Sequence, residues 1–250
     1  MSAFDVNKIT PASEPTRQPG KPGSPCRVCT VRHLTVCAPL DDAEVQEVST
    51  IASSVELSPG DPLFDEGEPA ASVYNVTAGT MKVYKLLADG RRQVTGFLFP
   101  GDFLGLANND CYAYSAEAVT HTTLCRFQRG KLEKLLERFP KMEKRLLGMA
   151  SHELAVAQEQ MLLLGRKTAK EKIASFLLGL AQRAESRGQP GNPVVVAMSR
   201  TDIGDFLGLT TETVSRTFTQ LRGAGVIVLL PGGKVDIQDA DALDDIAQGN

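Results

Sequence analysis

The stretch Thr201-Asp-Ile-Gly-Asp-Phe-Leu-Gly-Leu-Thr-Thr-Glu-Thr-Val-Ser-Arg216 decides how the chain is read. Ser199, just before it, can cap a helix, with Asp202 three residues on completing a short capping box. Ile203, Phe206 and Leu207 fall on the inward side of that helix. Gly208 permits a tight turn, and Thr210 caps a second helix. In the second helix Val214, Phe218 and Leu221 make one apolar face, which leaves Thr211, Glu212, Ser215 and Arg216 at its exposed N-terminal end. Two short helices joined by a glycine turn predict a helix-turn-helix, whose second helix enters the major groove of double-stranded DNA. The residue types suit base edges. Arg216 can give two donors to guanine, Glu212 can accept from cytosine, and Ser215 can serve either base. Thr211 offers a methyl group to thymine, and with Arg200 it is assigned to supporting DNA contacts.

Outward from this segment the pattern stays consistent. Residues 226–237 predict a hairpin turning at Pro231-Gly232-Gly233, followed by an acidic tail over 241–250. Upstream lie an amphipathic helix over 168–184, a loop over 181–193 and a short strand over 194–197. A long helix is predicted over 141–164. Along it Leu147, Ala150, Leu154, Ala157, Met161 and Leu164 repeat at alternating steps of three and four, a heptad seam. The small Ala150 and Ala157 favour a parallel pairing of two chains, a homodimer, over a helix packed only on its own domain. From 55 to 127 glycines punctuate short β-rich runs at 73–76, 81–87, 94–99 and 122–127, which predicts an all-β roll or sandwich. A short helix over 41–52 carries Val45, Val48 and Ile51. The predicted organisation is a proline-rich flexible tail over 1–25, a sensor domain over 26–130, a helical region over 131–165, a DNA-binding domain over 166–240 and the tail.

The chain has 250 residues and a formal net charge of −3, which on its face argues against a nucleic-acid partner. The sum hides a polarity. Residues 166–225 hold nine basic and five acidic residues, a net of +4, while residues 226–250 hold one basic and five acidic, a net of −4. No apolar run reaches the ~18 residues of a membrane span. The N-terminus has no apolar core of a secretory signal, so a cytoplasmic protein with reduced thiols is expected. No nucleophile–base constellation or dinucleotide glycine motif points to an enzyme.

The five cysteines are an odd number, and three of them fall between 26 and 37, which does not suit a disulfide framework. Cys26-x2-Cys29-x7-Cys37 puts three thiolates on one loop and suits a metal or cluster. A four-iron cluster takes four thiolates, so a fourth would come from Cys111 or Cys125. Zinc is the rival, because Cys-x2-Cys is a common zinc pair and His33 and His121 are at hand; simple reactive thiols are a third reading. Lys21, Arg27 and Arg32 read as a solvated basic loop beside the cysteines.

A β-roll, a long dimer helix and a C-terminal winged helix-turn-helix, spanning about residues 40–240, resemble the cyclic-AMP receptor protein superfamily, an α+β fold. The segment from Thr201 to Arg216 is similar to the recognition segment of its FNR (fumarate and nitrate reduction) branch. The resemblance implies that Glu212, Ser215 and Arg216 read TTGAT-type half-sites of a two-fold operator. It also implies RNA polymerase as a partner, with mainly activation. In nucleotide-binding members a Gly-Glu pair and a later Arg hold the ribose and cyclic phosphate. Here Leu106 stands for the Glu and Tyr114 for the Arg, so no cyclic nucleotide is expected. The resemblance assigns the fourth cluster ligand to Cys125, at the end of the roll, and leaves Cys111 a bystander. The implied site is a [4Fe–4S] cluster on Cys26, Cys29, Cys37 and Cys125 that ties the loop to the foot of the long helix until oxygen destroys it. The x7 gap resembles FNR-like and FixK-like regulators of nitrogen fixation and microaerobic respiration. The uncharged stretch Leu154-Ala-Val-Ala157 implies a dimer that leans less on the cluster.

Overall fold

A computed structural model describes residues 26, 29–105 and 110–249 of the protein. Positions 1–25, read above as a flexible tail, lie outside the described residues, as do Arg27 and Leu106. The cysteine loop leads into α1 (Asp42–Ser49), started by a capping box between Asp41 and Glu44. Strands β1 (Ala52–Leu57), β2 (Pro62–Phe64), β3 (Ser72–Ala78), β4 (Met81–Leu86), β5 (Arg92–Leu98), β6 (Phe103–Leu104), β7 (Ser115–Ala118) and β8 (Thr122–Gln128) follow. They build two antiparallel sheets, ordered β1-β8-β3-β6 and β2-β7-β4-β5. Side chains alternate across a strand. Along β8, Leu124 therefore joins Tyr74 and Val76 inside the roll, while Cys125 and Phe127 join Val73 in a second core under the helices.

Helix α2 (Arg129–Arg138) breaks at Phe139, and α3 (Pro140–Arg166) restarts with proline at its first position, where the missing N–H costs nothing. Only Met142 of this 27-residue helix is buried. Helix α4 (Ala169–Glu185) opens on a capping box between Thr168 and Glu171 and follows the helix expected over 168–184, so the start of the loop expected over 181–193 is helical as far as Glu185. The remainder is β9 (Val194–Val195), α5 (Arg200–Leu207), α6 (Thr211–Gly223), β10 (Ile227–Leu230), β11 (Lys234–Ile237) and α7 (Ala240–Gln248). The last three strands pair in the order β10-β11-β9.

The expected acidic tail is corrected here. It forms α7, whose N-cap is Asp239, with Leu243 and Ala247 buried against α4. The Lys167 ammonium donates to the Ala247 carbonyl at 2.8 Å. Leu243, Ile246 and Ala247 recur at helical spacing, and the five acids of the region obscure that stripe in a charge count.

The roll and the C-terminal helices share one core. Phe97 of β5 lies 5.1 Å from Phe206 of α5 and 6.3 Å from Phe176 of α4. Beside these rings the Lys82 ammonium is 2.7 Å from Glu117 and 2.8 Å from Asp202. Arg92 reaches Asp202 and Asp205, each at 3.0 Å. Gln93 donates to the Asp205 carbonyl, Arg183 to the Phe97 carbonyl, and Arg187 pairs with Asp102 at 2.6 Å. Burial pushes the Asp202 carboxyl up, but hydrogen bonds from Lys82 and Ser199 and the charges of Lys82 and Arg92 outweigh it and hold it below the usual range.

Two outcomes follow for urea denaturation. Leu243→Ala should cost about 2–5 kcal/mol, as for a core truncation; an unchanged midpoint would make α7 a loosely attached tail. Lys82→Met leaves Asp202 and Glu117 to share Arg92 alone and should cost about 1–3 kcal/mol; a neutral result would remove Lys82 as a tie between the two halves.

Candidate functional site

The helix-turn-helix assembles as its residues dictate. Ser199 and Asp202 form the capping box of α5, with the Asp202 N–H donating to Ser199 Oγ at 3.0 Å. Gly208 ends the helix at φ 64°, a left-handed conformation that costs glycine little. The Leu209 N–H then returns to the Gly204 carbonyl at 3.0 Å. A Cβ on Gly204 would lie 2.6 Å from the Leu209 carbonyl oxygen, so the two helices meet too closely for any side chain there. Thr210 caps α6 through the Thr213 N–H. Ile203, Leu207, Val214, Phe218 and Leu221 bury the shared face. The Lys172 ammonium caps the far end of α5 on the Leu207 carbonyl.

On the opposite face Glu212, Ser215 and Arg216 are exposed and Thr211 is half-buried. Backbone and Thr210 hydrogen bonds hold the Glu212 carboxyl below its usual range, so it stays an acceptor. Arg200 is placed differently from a surface contact. Its guanidinium stacks 3.4 Å from the centroid of Phe218, and Nη1 is buried without a hydrogen-bond partner.

The seam residues Leu147, Leu154 and Met161 are 67%, 61% and 64% exposed, Ala150 and Ala157 are exposed, and Leu164 is half-buried. Other faces of α3 are tied inward: Gln160 donates to the Phe206 carbonyl, and Glu153 lies 3.7 Å from Arg183. The heptad stripe is thus exposed over most of its length, with Leu162 beside it 68% exposed.

Four cysteines meet at the foot of α3. Cys37 and Cys125 are buried and Cys26 and Cys29 half-buried, whereas Cys111 is exposed and bridged to Pro69. Burial pushes the Cys37 thiol up to about 12, and Cys26 and Cys29 push it the same way. Cys125 is raised by burial first, then by Cys26, Cys37 and Cys29. These thiols therefore sit within one another's electrostatic reach, and Cys111 does not act on either buried one. Cys37 and Cys125 share a core with Val36, Phe139 and Met142, and Arg145 of α3 donates to the Leu34 carbonyl at 2.9 Å. Leu34 packs against Gly101, where any Cβ would strike it at 2.6 Å. His33 and His121 both face solvent.

Among the described residues, no three His, Cys, Asp or Glu side chains are grouped as ligands of a metal ion. A four-iron cluster makes a different demand. Each thiolate binds its own iron, so the sulfurs surround a cube instead of meeting at one point. The donor set fits that demand in type and number.

At the nucleotide position of the roll, the Tyr114 hydroxyl accepts from the Gly105 N–H at 3.1 Å, and its ring lies 5.8 Å from Phe64. Phe64 stacks on Tyr112 at 3.7 Å. The ion cluster of Lys82, Arg92, Glu117, Asp202 and Asp205 has no motif in the chain. Its one local signal is a lysine inside the strand run Met81-Lys-Val-Tyr84.

Comparison with known proteins agrees with this architecture. The cyclic nucleotide-binding domain family matches residues 54–139, and the Crp-like helix-turn-helix domain family matches residues 171–246. The chain is 45% identical over 219 residues to the transcriptional activatory protein AadR of Rhodopseudomonas palustris, covering 88% of this chain and 91% of that one. It is 43% identical over 208 residues to the nitrogen fixation regulation protein FixK of Bradyrhizobium diazoefficiens, covering 83% and 88%. The solved structure of FixK2 from Bradyrhizobium japonicum superposes with a TM-score of 0.73 at 37% identity, covering 78% of this chain and 97% of that one. With both halves matched in order, and such identity over most of two curated relatives, the chain belongs to the Crp/Fnr family of transcription regulators.

Proposed function

We propose that this regulator is an oxygen-responsive transcription activator of the cytoplasm. In this reading it binds a TTGAT-type palindrome as a homodimer, holds a [4Fe–4S] cluster on Cys26, Cys29, Cys37 and Cys125, and recruits RNA polymerase. The observation that carries it is the gathering of a loop's cysteines and Cys125 in the core that seats the first turn of α3. A bound cluster would supply an oxygen-labile covalent link among those sulfurs.

The chain's own residues do the rest. Cys37 and Val36 bring the loop onto Phe139 and Met142, and Arg145 grips Leu34, so the loop's position bears directly on the foot of α3. The exposed stripe from Leu147 to Met161 pairs with a second copy, since an apolar helix face left in water is unstable alone. Pairing sets two recognition helices on one side of the duplex about one helical turn apart. Two modest half-site contacts then act as one tight one. Glu212, Ser215 and Arg216 read the bases. Tyr114, turned onto Gly105 and Phe64 where nucleotide-binding relatives need a cation, supports a roll that takes no cyclic nucleotide. The uncharged seam favours a second reading of the switch, in which the dimer persists and the cysteine site adjusts its geometry.

Anaerobic purification tests the proposal. A brown protein with about four irons and four sulfides per chain is expected, following from four thiolate ligands. Cys125→Ser should lose them and Cys111→Ser should keep them. A colourless or zinc-containing protein, or loss in Cys111→Ser, would sink the cluster assignment. Arg216→Ala should cost about 1–3 kcal/mol on the palindrome in gel-shift titration, with less effect on random DNA. Equal losses on both would leave Arg216 a phosphate contact.

A further inference from the structure

Asn75 stands in the middle of β3, in the apolar run Val73-Tyr-Asn-Val76, and is 2% exposed. Its register partners are Cys125 on β8 and Phe103 on β6. Directly opposed residues of antiparallel strands project to the same face. Asn75 therefore shares its face with Val73, Cys125 and Phe127, the floor of the cysteine site. Its Oδ1 is buried with no hydrogen-bond partner.

A buried carboxamide with an idle oxygen is costly, and an apolar side chain of the same size would fill the space without that cost. Packing alone gives no reason for an asparagine here. The chemistry of the neighbours does. A carboxamide carries two N–H donors beside its oxygen, and rotation about its last bond exchanges the two ends. Protonated thiols offer weak donors to the oxygen. Thiolates and sulfides are acceptors, and they call for the N–H end.

We propose that Asn75 is a positioning residue of the cysteine site, donating an N–H hydrogen bond to a sulfur there when the four cysteines hold their cluster. The inference rests on the cluster reading above. Such a bond draws charge from sulfur, so it favours the reduced cluster and steadies the Cys125 ligand against loss.

The test uses the full-length chain, reconstituted anaerobically with iron and sulfide. Asn75→Leu keeps the volume and removes the donor, and Asn75→Ala removes it with no risk of overpacking. Val73→Ala disturbs the same face without touching a hydrogen bond. Expected are a lower cluster midpoint potential and about 10-fold faster iron loss to a chelator in both Asn75 variants, the size typical of a lost outer-shell partner. Val73→Ala should keep the wild-type potential. Failure of both Asn75 variants to retain iron, with Val73→Ala loaded, would point the same way. Loaded Asn75 variants with the wild-type potential, or an equal shift in Val73→Ala, would overturn the role of Asn75 alone. A wild-type chain that takes up no iron and sulfide would overturn the cluster reading and this inference together.

Discussion

Lys82 rises from a strand of the roll into a pocket walled by the DNA-binding half, with Glu117 on its own sheet and Asp202 on α5 as its counter-ions. Arg92 doubles the tie by bridging Asp202 and Asp205. Asp202 is also the acid that closes the capping box of α5 with Ser199. One carboxylate thus starts the first helix of the helix-turn-helix and fixes where that helix sits on the roll. Buried ion pairs add little net stability, because desolvation offsets most of the attraction. Their geometry is demanding, and the apolar contacts among Phe97, Phe176 and Phe206 alone would tolerate sliding. The ions fix how α5, with α6 packed against it, sits on the roll.

The long helix is the other half of that geometry. It buries one residue of its own, yet it touches every functional region. Its foot rests on the cysteine core, Gln160 and Glu153 reach the DNA-binding half, and the heptad stripe faces outward. In the proposed switch, a helix held at both ends would pass a displacement at its foot to the recognition helices. Such a shift acts on a two-state equilibrium only through contacts that differ between the states. Under the proposed function those contacts would be the loop's grip on α3 and the heptad stripe.

Charge is partitioned to match. The basic excess lies in residues 166–225, where α4 to α6 stand. The acids near the C-terminus ride on the outer side of α7, while its apolar side completes the core over α4. The +4 of residues 166–225 and the −4 of residues 226–250 cancel, so the overall −3 is the charge of residues 1–165 and says little about any one surface.

Local grammar carried much of this into the primary structure. Caps at Ser199 and Thr210, the left-handed Gly208 and the period of the apolar residues are short-range effects, and each stands in the chain as it stands in the fold. The heptad stripe and the three cysteines of residues 26–37 were legible for the same reason, whereas Cys125 joins them only through its place on β8. Strands β2, β6 and β7, only two to four residues each, carry too little pattern to be seen, because pairing partners far along the chain hold them in place. The acids of α7 masked its helix, which forms because α4 offers an apolar face to bury Leu243. Arg200, read as a supporting DNA contact, stacks on Phe218. The meeting of Asn75 with Cys125, and of Lys82 with Asp202, belongs to strand register and domain docking. Residues 50 or 120 positions apart leave no periodic trace of each other, and only the folded chain brings their side chains within reach.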